Sequence, residues 1–518
     1  MASQHGNGWT RRRFLKAAGG AVAGVAGVGI IYEAINAGGS GQAAPSASPR
    51  TLALAPSGAP TATPGPTGTA AAGGTVAPFH SRPDLVPPAL TVETQPTAVA
   101  PGYVFFTPNN GGGSGGPTML DNSGELVWMQ PIPGKYVTDF RVVTYQGRQA
   151  LAWWEGDVNG GIGSGEHVIA DTSYREITRV QAANGRKMDL HEFQLTPQGT
   201  ALFFADAAVP APAVAGATPP PWPVLDCAIQ EVDVATGKLL WEWHSIDHIA
   251  VDETYVQGSQ GQVLDYVHTN AISIEDDGTL LVSARNTSAI YKVDRSTGEI
   301  VWRLGGRRSD FRFALGATFG WQHDVRRRSD GTLTIFDDES PPVPARGIVL
   351  RIDETARTAT LVREYRRAQA NLVQSQGNVQ ELANGNVFVG WGSTPFFTEF
   401  SRDGTVLYDA TFPGAVQSYR DYRFEWIGEP ADSPTVAVEQ SGDGLTVYAS
   451  WNGATEVATW EVLGGSDASH LSRLGAATRT GFETAIALAG SQPVVAARAL
   501  DASGRILGTS ATIATTAG

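Results

Sequence analysis

Apolar and polar positions alternate along most of this chain, in short runs that stop at a glycine and then resume. Examples are residues 195–204 around Gly199 and residues 274–283 around Gly278. Strict alternation over four to eight residues is typical of a half-buried β-strand. Asp-Gly or Asn-Gly between two such runs indicates a tight hairpin turn. The pattern therefore predicts consecutive antiparallel hairpins.

A second pattern follows these hairpins. Residues 233–241 and 294–302 both read Asp-x-x-Thr-Gly-x-x-x-Trp, and residues 121–128 hold an earlier copy. We interpret it as the outer hairpin of the same unit, which gives four strands, the blade of a β-propeller. Six inner hairpins predict an all-β, six-bladed propeller over residues 86–428. They fall near residues 103–118, 140–153, 192–204, 269–283, 324–337 and 378–390.

The pattern changes after residue 430. Strands become shorter and turns closer, as in residues 445–451 and 494–500. This spacing predicts a small C-terminal β-sandwich over residues 429–518, immunoglobulin- or fibronectin-like.

Composition narrows the functional classes. The chain has 518 residues with 61 Gly and 31 Pro, which suits a turn-rich β protein. Its formal net charge of −14 argues against a nucleic-acid partner. The single cysteine, Cys227, allows no intramolecular disulfide and is expected to be a small buried residue.

The N-terminus carries a targeting pattern. Residues 10–16 (Thr-Arg-Arg-Arg-Phe-Leu-Lys) precede a small-residue apolar stretch and resemble a twin-arginine export signal, assigned to residues 1–37. We expect the twin-arginine translocase as a partner and an extracellular or cell-envelope location. An uncleaved segment would instead be a membrane tether. Residues 38–85, rich in Ala, Pro, Gly and Thr, are predicted to be a disordered linker.

Three histidines stand at nearly the same offset before a turn glycine. Equivalent positions in a closed repeat fold face a common axis, so these side chains are predicted to meet at one end of a central channel. Alone, each histidine would more simply be a hydrogen-bonded structural residue. The pairs are His191 with Gly199, His268 with Gly278, and His323 with Gly331.

Arg285 lies on the strand after the Gly278 turn. A buried arginine needs an anionic partner, which here is either a carboxylate such as Asp337 or Asp338 or an anionic substrate. The planar guanidinium suits oxyanions. Tryptophans at a similar level either wall a pocket for an aromatic ring or simply fill the core. They are Trp153, Trp154 and Trp391.

Four segments together resemble the arylsulfotransferase family, in its actinobacterial and fungal branch. They are Asp189-Leu-His191-Glu-Phe, Tyr266-Val-His268-Thr-Asn270, the stretch from Ser283 through Arg285 to Asp294, and Trp321-Gln-His323-Asp.

The resemblance implies a six-bladed propeller that moves a sulfuryl group from a phenolic sulfate ester to an acceptor phenol, without a nucleotide donor, cofactor or metal. It makes His323 the nucleophile that becomes a sulfohistidine. His191, His268 and Arg285 would hold the sulfuryl oxygens and manage the proton, with His268 preferred over His191 as the acid and base. Asn270 joins the substrate-binding residues.

Two other interpretations stay open at this stage. Three converging imidazoles could bind Zn, Cu or Fe, although a cation beside Arg285 is electrostatically poor. The Asp-x-x-Thr-Gly-x-x-x-Trp repeats also resemble those of non-catalytic or quinone-binding propellers, but such repeats do not predict three aligned histidines.

Overall fold

The computed structural model is nearly all β. It describes residues 78–110, 115–211, 222–259, 261–339, 343–369, 371–441 and 444–515. The predicted export signal and residues 38–77 of the predicted linker lie outside these ranges. Within them, the helical elements are α1 (Ser245–His248) and a 3-10 turn (Val251–Glu253), and no helix is long and apolar enough to cross a membrane.

The first part of the chain, up to residue 424, forms twenty-six strands. They are β1 (Thr91–Thr94), β2 (Tyr103–Phe106), β3 (Thr118–Leu120), β4 (Leu126–Met129), β5 (Tyr136–Tyr145), β6 (Arg148–Asn159), β7 (Ile162–Ala170), β8 (Glu176–Val180), β9 (Lys187–Leu195), β10 (Thr200–Val209), β11 (Val224–Asp233), β12 (Leu239–His244), β13 (Thr269–Ile274), β14 (Leu280–Ala284), β15 (Ala289–Val293), β16 (Ile300–Gly305), β17 (Arg312–Phe313), β18 (His323–Arg327), β19 (Leu333–Asp337), β20 (Arg346–Asp353), β21 (Thr358–Tyr365), β22 (Asn378–Glu381), β23 (Val387–Gly390), β24 (Phe396–Phe400), β25 (Val406–Thr411) and β26 (Tyr422–Phe424).

The six predicted inner hairpins are present as antiparallel pairs: β2 with β3, β5 with β6, β9 with β10, β13 with β14, β18 with β19, and β22 with β23. The turns of the last five pairs each need a glycine because the backbone there is left-handed. Gly199 has φ +81° and Gly278 also has φ +81°. A side chain disfavours that conformation, so these glycines fix the strand ends.

The outer strands extend these hairpins into sheets. The order β13-β14-β15-β16 is the simplest, and β18–β21 form a similar sheet with β17 at its edge. The hairpins β5–β6 and β9–β10 lie in one eight-stranded sheet because Gly165 of β7 pairs with Met188 of β9. The sequence pattern predicts two separate four-strand units for these two hairpins.

Strands from the two ends of this region share sheets. β26 pairs with β2, with Val104 opposite Arg423, and β1 pairs with β25. Five buried hydrophobic clusters join the successive four-strand units in chain order. A sixth cluster, which contains Leu120 and Phe388, joins the last unit to the first. Each four-strand unit therefore buries apolar surface against both the unit before it and the unit after it.

The C-terminal region forms two antiparallel sheets, β27-β28-β31 and β30-β29-β32-β33, with β34 paired to β32. Both sheets contribute to one buried cluster that includes Val447, Trp460 and Val495. The strands are β27 (Thr435–Ser441), β28 (Gly444–Ser450), β29 (Thr459–Gly465), β30 (Leu471–Thr478), β31 (Glu483–Ala489), β32 (Val494–Leu500), β33 (Ile506–Thr509) and β34 (Ile513–Ala514).

Residues 78–85 correct the end of the predicted linker. The backbone N–H of Ser81 donates to Glu483 at 2.6 Å, and the ring of His80 stacks on Tyr448. Leu85 is buried in the cluster that joins the last unit to the first. This stretch is therefore ordered, because it contains a large apolar residue and polar groups that have partners.

The buried His167 is expected to make the stability of the folded protein depend on pH. It is fully buried on β7 and stacks on Phe193, and neither ring nitrogen has a hydrogen-bond partner in the described structure. Burial, reinforced by Arg141, lowers the pKa of His167 well below its usual value. Below about pH 6.5 the unfolded chain therefore binds a proton that the folded chain does not bind. As the pH decreases, the free energy of unfolding decreases by up to about 1.4 kcal/mol per pH unit.

We expect His167→Phe to reduce this slope and to raise the free energy of unfolding at about pH 5. Urea unfolding between about pH 5 and 7.5 measures both quantities. His470→Asn, at a side chain that is 74% exposed, is the control for the replacement of a histidine at the surface. An unchanged slope in His167→Phe would contradict the prediction.

Candidate active site

The structure brings the three aligned histidines together. His191 lies on β9, His323 begins β18, and His268 immediately precedes β13. The rings of His191 and His268 meet edge to face, with 4.8 Å between their centroids. Both side chains lie close enough to act electrostatically on His323, as does Arg285. All four residues are buried.

Each histidine is held through Nδ1 by a buried carboxylate. The His268 Nδ1–H donates to Asp265 Oδ2 at 2.5 Å, and the His191 Nδ1–H donates to Asp189. An ionised carboxylate only accepts hydrogen bonds, so it places the proton on Nδ1 and leaves Nε2 with a lone pair. Of these carboxylates, Asp189 lies within a motif that the sequence indicates, and Asp265 directly precedes one.

His323 is the most deeply buried of the three. Its Nδ1–H donates to Asp338 Oδ2 at 2.6 Å, and its Nε2 accepts a bond from the backbone N–H of Gln376 at 3.3 Å. Burial, together with the positive charge of Arg285 and the charge that His191 and His268 carry when protonated, lowers the pKa of His323 well below its usual value. The imidazole is therefore neutral near pH 7, with a nucleophilic lone pair on Nε2.

Arg285 is oriented by neighbouring backbone and side-chain groups. Its Nη2 donates to the Gln374 carbonyl at 3.0 Å, its Nη1 donates to Asn286 Oδ1 at 3.1 Å, and its guanidinium lies 4.7 Å from the ring centroid of Trp321. The backbone N–H of Arg285 donates to the His268 carbonyl. These contacts fix a cation next to the histidines.

Asp337, one of the two carboxylates considered for Arg285, is paired with a different arginine. Its Oδ2 accepts from Arg346 Nε at 2.9 Å. Burial raises the pKa of Asp337 to about 7 even though Arg346 opposes the rise. The other carboxylate, Asp338, holds the His323 ring.

Asn270 and Tyr419 form a layer beside the histidines. Asn270 Nδ2 donates to the Gln322 carbonyl at 2.8 Å, while its Oδ1 is buried without a hydrogen-bond partner in the described structure. The Tyr419 hydroxyl lies 3.1 Å from the carbonyl of His191 and 3.2 Å from that of Asn270, and its ring contacts the His191 imidazole edge-on. Sequence reasoning missed Tyr419 because it lies outside the hairpin repeats.

A buried ion network lies next to this layer. Arg420 is fully buried and donates to Asp139 at 3.1 Å, to Glu192 at 3.3 Å and to the Asn270 carbonyl at 2.8 Å. Although burial alone would raise it, Arg326 and Arg420 hold the pKa of Glu192 well below its usual value. Arg420 thus connects inner strands β5, β9 and β13, and no sequence motif pointed to it.

The three tryptophans are packed in hydrophobic clusters. Trp153 and Trp154 lie in different clusters, and Trp154 fills the space above Gly163 and Gly165. Trp391 donates to Thr398 Oγ1 and packs against Phe336. All are at most 1% exposed, so this placement supports core filling and not a pocket wall.

The remaining histidines of the described chain lie elsewhere. His244 pairs with Asp226, His248 stacks on Trp243, and His470 pairs with Asp467 near the surface. Within the described residues, no group of three or more His, Cys, Asp or Glu side chains is arranged to hold a metal ion.

The chain matches one family of known proteins over more than half of its length. The family model described as arylsulfotransferase matches residues 141–413. No curated protein matches the chain.

Several solved structures resemble the chain at low similarity. A streptogramin B lyase is 12% identical, with 70% of this chain and 94% of that chain covered and a TM-score of 0.33. A catalytically inactive virginiamycin B lyase from Staphylococcus aureus with quinupristin is 10% identical, covering 70% and 96% with a TM-score of 0.34. A protein from Lactobacillus plantarum is 12% identical, covering 75% and 99% with a TM-score of 0.34.

Proposed function

Because the chain belongs to the arylsulfotransferase family, we propose that it moves a sulfuryl group from a phenolic sulfate ester to an acceptor phenol through a sulfohistidine at His323. The observation that carries this proposal is the state of His323. A carboxylate fixes its Nδ1–H, burial keeps the ring neutral, and Nε2 is left with a lone pair beside Arg285 and two further imidazoles.

In the first half-reaction, the Nε2 lone pair attacks sulfur and forms the N–S bond. The bond between sulfur and the phenolic oxygen breaks, and its electron pair leaves with that oxygen. Arg285 and one protonated imidazole stabilise the negative charge on the sulfuryl oxygens. Since a phenol has a pKa of about 10, proton donation by His268 assists the leaving phenolate.

In the second half-reaction the roles reverse. Neutral His268 takes the proton of the acceptor phenol, whose oxygen attacks sulfur while the N–S electron pair returns to Nε2. His191 is the alternative for this proton transfer, because its ring contacts His268 and its Nδ1 is held in the same way. The unpartnered Oδ1 of Asn270 is a further group for binding substrate.

The architecture completes the proposal. We infer that the first twenty-six strands form six propeller blades, because five clusters connect successive units and a sixth connects the last unit to the first. We infer that the C-terminal sheets form an immunoglobulin-like sandwich around their shared cluster. The sequence of residues 1–37 supports twin-arginine export to the cell envelope or beyond, and the motifs support the actinobacterial and fungal branch.

The test is incubation of the purified protein with a chromogenic aryl sulfate, with and without an added phenol. We expect sustained release of the chromophore and a sulfated acceptor only when the phenol is present, after one equivalent is released without it. Release at the same rate without an acceptor would indicate hydrolysis, and no release with either addition would refute the proposal.

The acid limb of the pH profile is a second expectation. The pKa of His323 is lowered, so protonation of the nucleophile begins well below about pH 6.5. The proposed helper imidazole must be protonated to assist the leaving phenol but neutral to take the proton of an acceptor, so acid opposes its role only in the second half-reaction. Single-turnover sulfation of the enzyme is therefore expected to persist to lower pH than transfer to phenol. If enzyme sulfation and transfer to phenol lose activity over the same acidic pH range, the assignment of a helper imidazole to the second half-reaction is contradicted.

A further inference from the structure

One short segment contacts both the proposed nucleophile and Arg285. We call residues 374–377 the capping segment. The Gln374 carbonyl accepts from Arg285 Nη2 at 3.0 Å, and the backbone N–H of Gln376 donates to His323 Nε2 at 3.3 Å. The second contact involves the same nitrogen lone pair that would attack sulfur.

The backbone of the capping segment is fixed on both sides. Ser393 Oγ accepts from the N–H of Gln374 at 3.1 Å, and the Ser393 N–H donates to the Ser375 carbonyl at 3.0 Å. The N–H of Gly377 donates to the Tyr419 carbonyl at 3.0 Å. These bonds hold the direction of the Gln376 N–H.

Two glycines allow this arrangement. A Cβ at Gly392 would lie 2.6 Å from the Gln376 carbonyl carbon, and a Cβ at Gly377 would lie 2.5 Å from the Phe336 ring. Gln376 itself has φ +72°, a left-handed conformation that a residue with a side chain rarely adopts. Such conformations persist where the surrounding structure enforces them, and they concentrate at functional sites.

We propose that the backbone N–H of Gln376 binds the sulfuryl group. It donates a hydrogen bond to a sulfuryl oxygen once His323 is sulfated. This inference rests on the proposed function. When the Nε2 lone pair forms the N–S bond and the S–O pair leaves with the phenol, the N–H loses its acceptor. The half-buried N–H then needs another acceptor. The sulfuryl oxygens, two bonds from Nε2 through sulfur, are the acceptors that the reaction itself brings.

The contact changes its partner during the reaction. In the free enzyme it favours the neutral ring, because donation to Nε2 stabilises the unprotonated form. In the sulfated enzyme sulfur lies on the former lone pair, and the N–H turns to the sulfuryl oxygens, where it complements Arg285.

The experiment removes this single N–H. Replacing Gln376 with its α-hydroxy-acid analogue converts the amide to an ester and keeps the side chain. We expect single-turnover sulfation of His323 by a chromogenic aryl sulfate to slow by about 10- to 100-fold. In the free enzyme, nitrogen NMR of labelled histidine should show the pKa of His323 moving upward.

Gln376→Asn is the matched control, because it changes the side chain of Gln376 but keeps the backbone N–H that contacts His323. It should leave the pKa of His323 where it is in the wild type. The inference is overturned if the ester variant is sulfated within about threefold of the wild-type rate, or if Gln376→Asn reproduces its pKa shift. A wild-type protein that accepts no sulfuryl group would overturn the proposed function as well, whereas an active wild type with an unaffected ester variant overturns the inference alone.

Discussion

His323→Asn is expected to lose sulfuryl transfer by about 10⁴-fold or more. Asparagine is a similar polar side chain that can still face Asp338, but it has no basic nitrogen to form the N–S bond. The loss should appear in the first half-reaction, measured as the single-turnover release of chromophore from an aryl sulfate. Intact-protein mass spectrometry after donor treatment should find one sulfuryl group on the wild type and none on the variant.

The matched control is His470→Asn. His470 also pairs with an aspartate through Nδ1, at 2.8 Å from Asp467, but its side chain is 74% exposed and it belongs to the C-terminal region. It should keep wild-type rates. If the His323→Asn variant still accumulates a sulfated histidine, another histidine is the nucleophile.

Asp338→Asn is expected to lower kcat by about 10²- to 10⁴-fold without unfolding the protein. Asp338 is fully buried and accepts the Nδ1–H of His323 at 2.6 Å. The side-chain amide of asparagine can donate to Nδ1 instead, which moves the ring proton to Nε2 and removes the lone pair that attacks sulfur. The steady-state rate measures the loss, and nitrogen NMR of labelled histidine reports which tautomer is present.

Asp467→Asn supplies the comparison, since it makes the same exchange in the exposed pair with His470. It should alter the tautomer balance of His470 and leave the rate alone. If Asp338→Asn keeps the rate within about tenfold, tautomer control by Asp338 is not part of the mechanism.

The hairpins were predictable because their signal is local. Glycines such as Gly278 and Gly331 occupy left-handed positions between alternating runs, and this fixes where each strand starts and stops. Residues at similar distances from such a turn lie at a similar level of their hairpins. The similar distances of His191, His268 and His323 from their turn glycines therefore predicted from sequence alone that the three side chains would lie close together.

The same argument failed for the tryptophans because distance from a turn does not specify a face. Trp153 and Trp154 are consecutive residues of β6, so their side chains point to opposite faces of the sheet and enter different clusters. Neighbours in sequence could not both have walled one pocket.

The groups that tune the site depend on tertiary structure. Asp338 reaches His323 because β18 and β19 pair, with His323 opposite Phe336. Tyr419 and Arg420 come from a connection that precedes β26 and has no counterpart in the repeats. Gln376 contacts His323 only through its backbone, which leaves no trace in residue type.

The pairing of β26 with β2 has a consequence for the order in which the protein folds. Val104 is made early and Arg423 late, and their strands complete one sheet. Contacts between residues so distant in sequence form slowly, after local hairpins, because closing a long loop costs entropy before the contacts compensate it. Tyr419 and Arg420, which bind the inner strands beside His191, arrive with β26. A chain still emerging from the ribosome can therefore hold every proposed catalytic residue and yet have no active site, which is completed only when the last strands pair with the first.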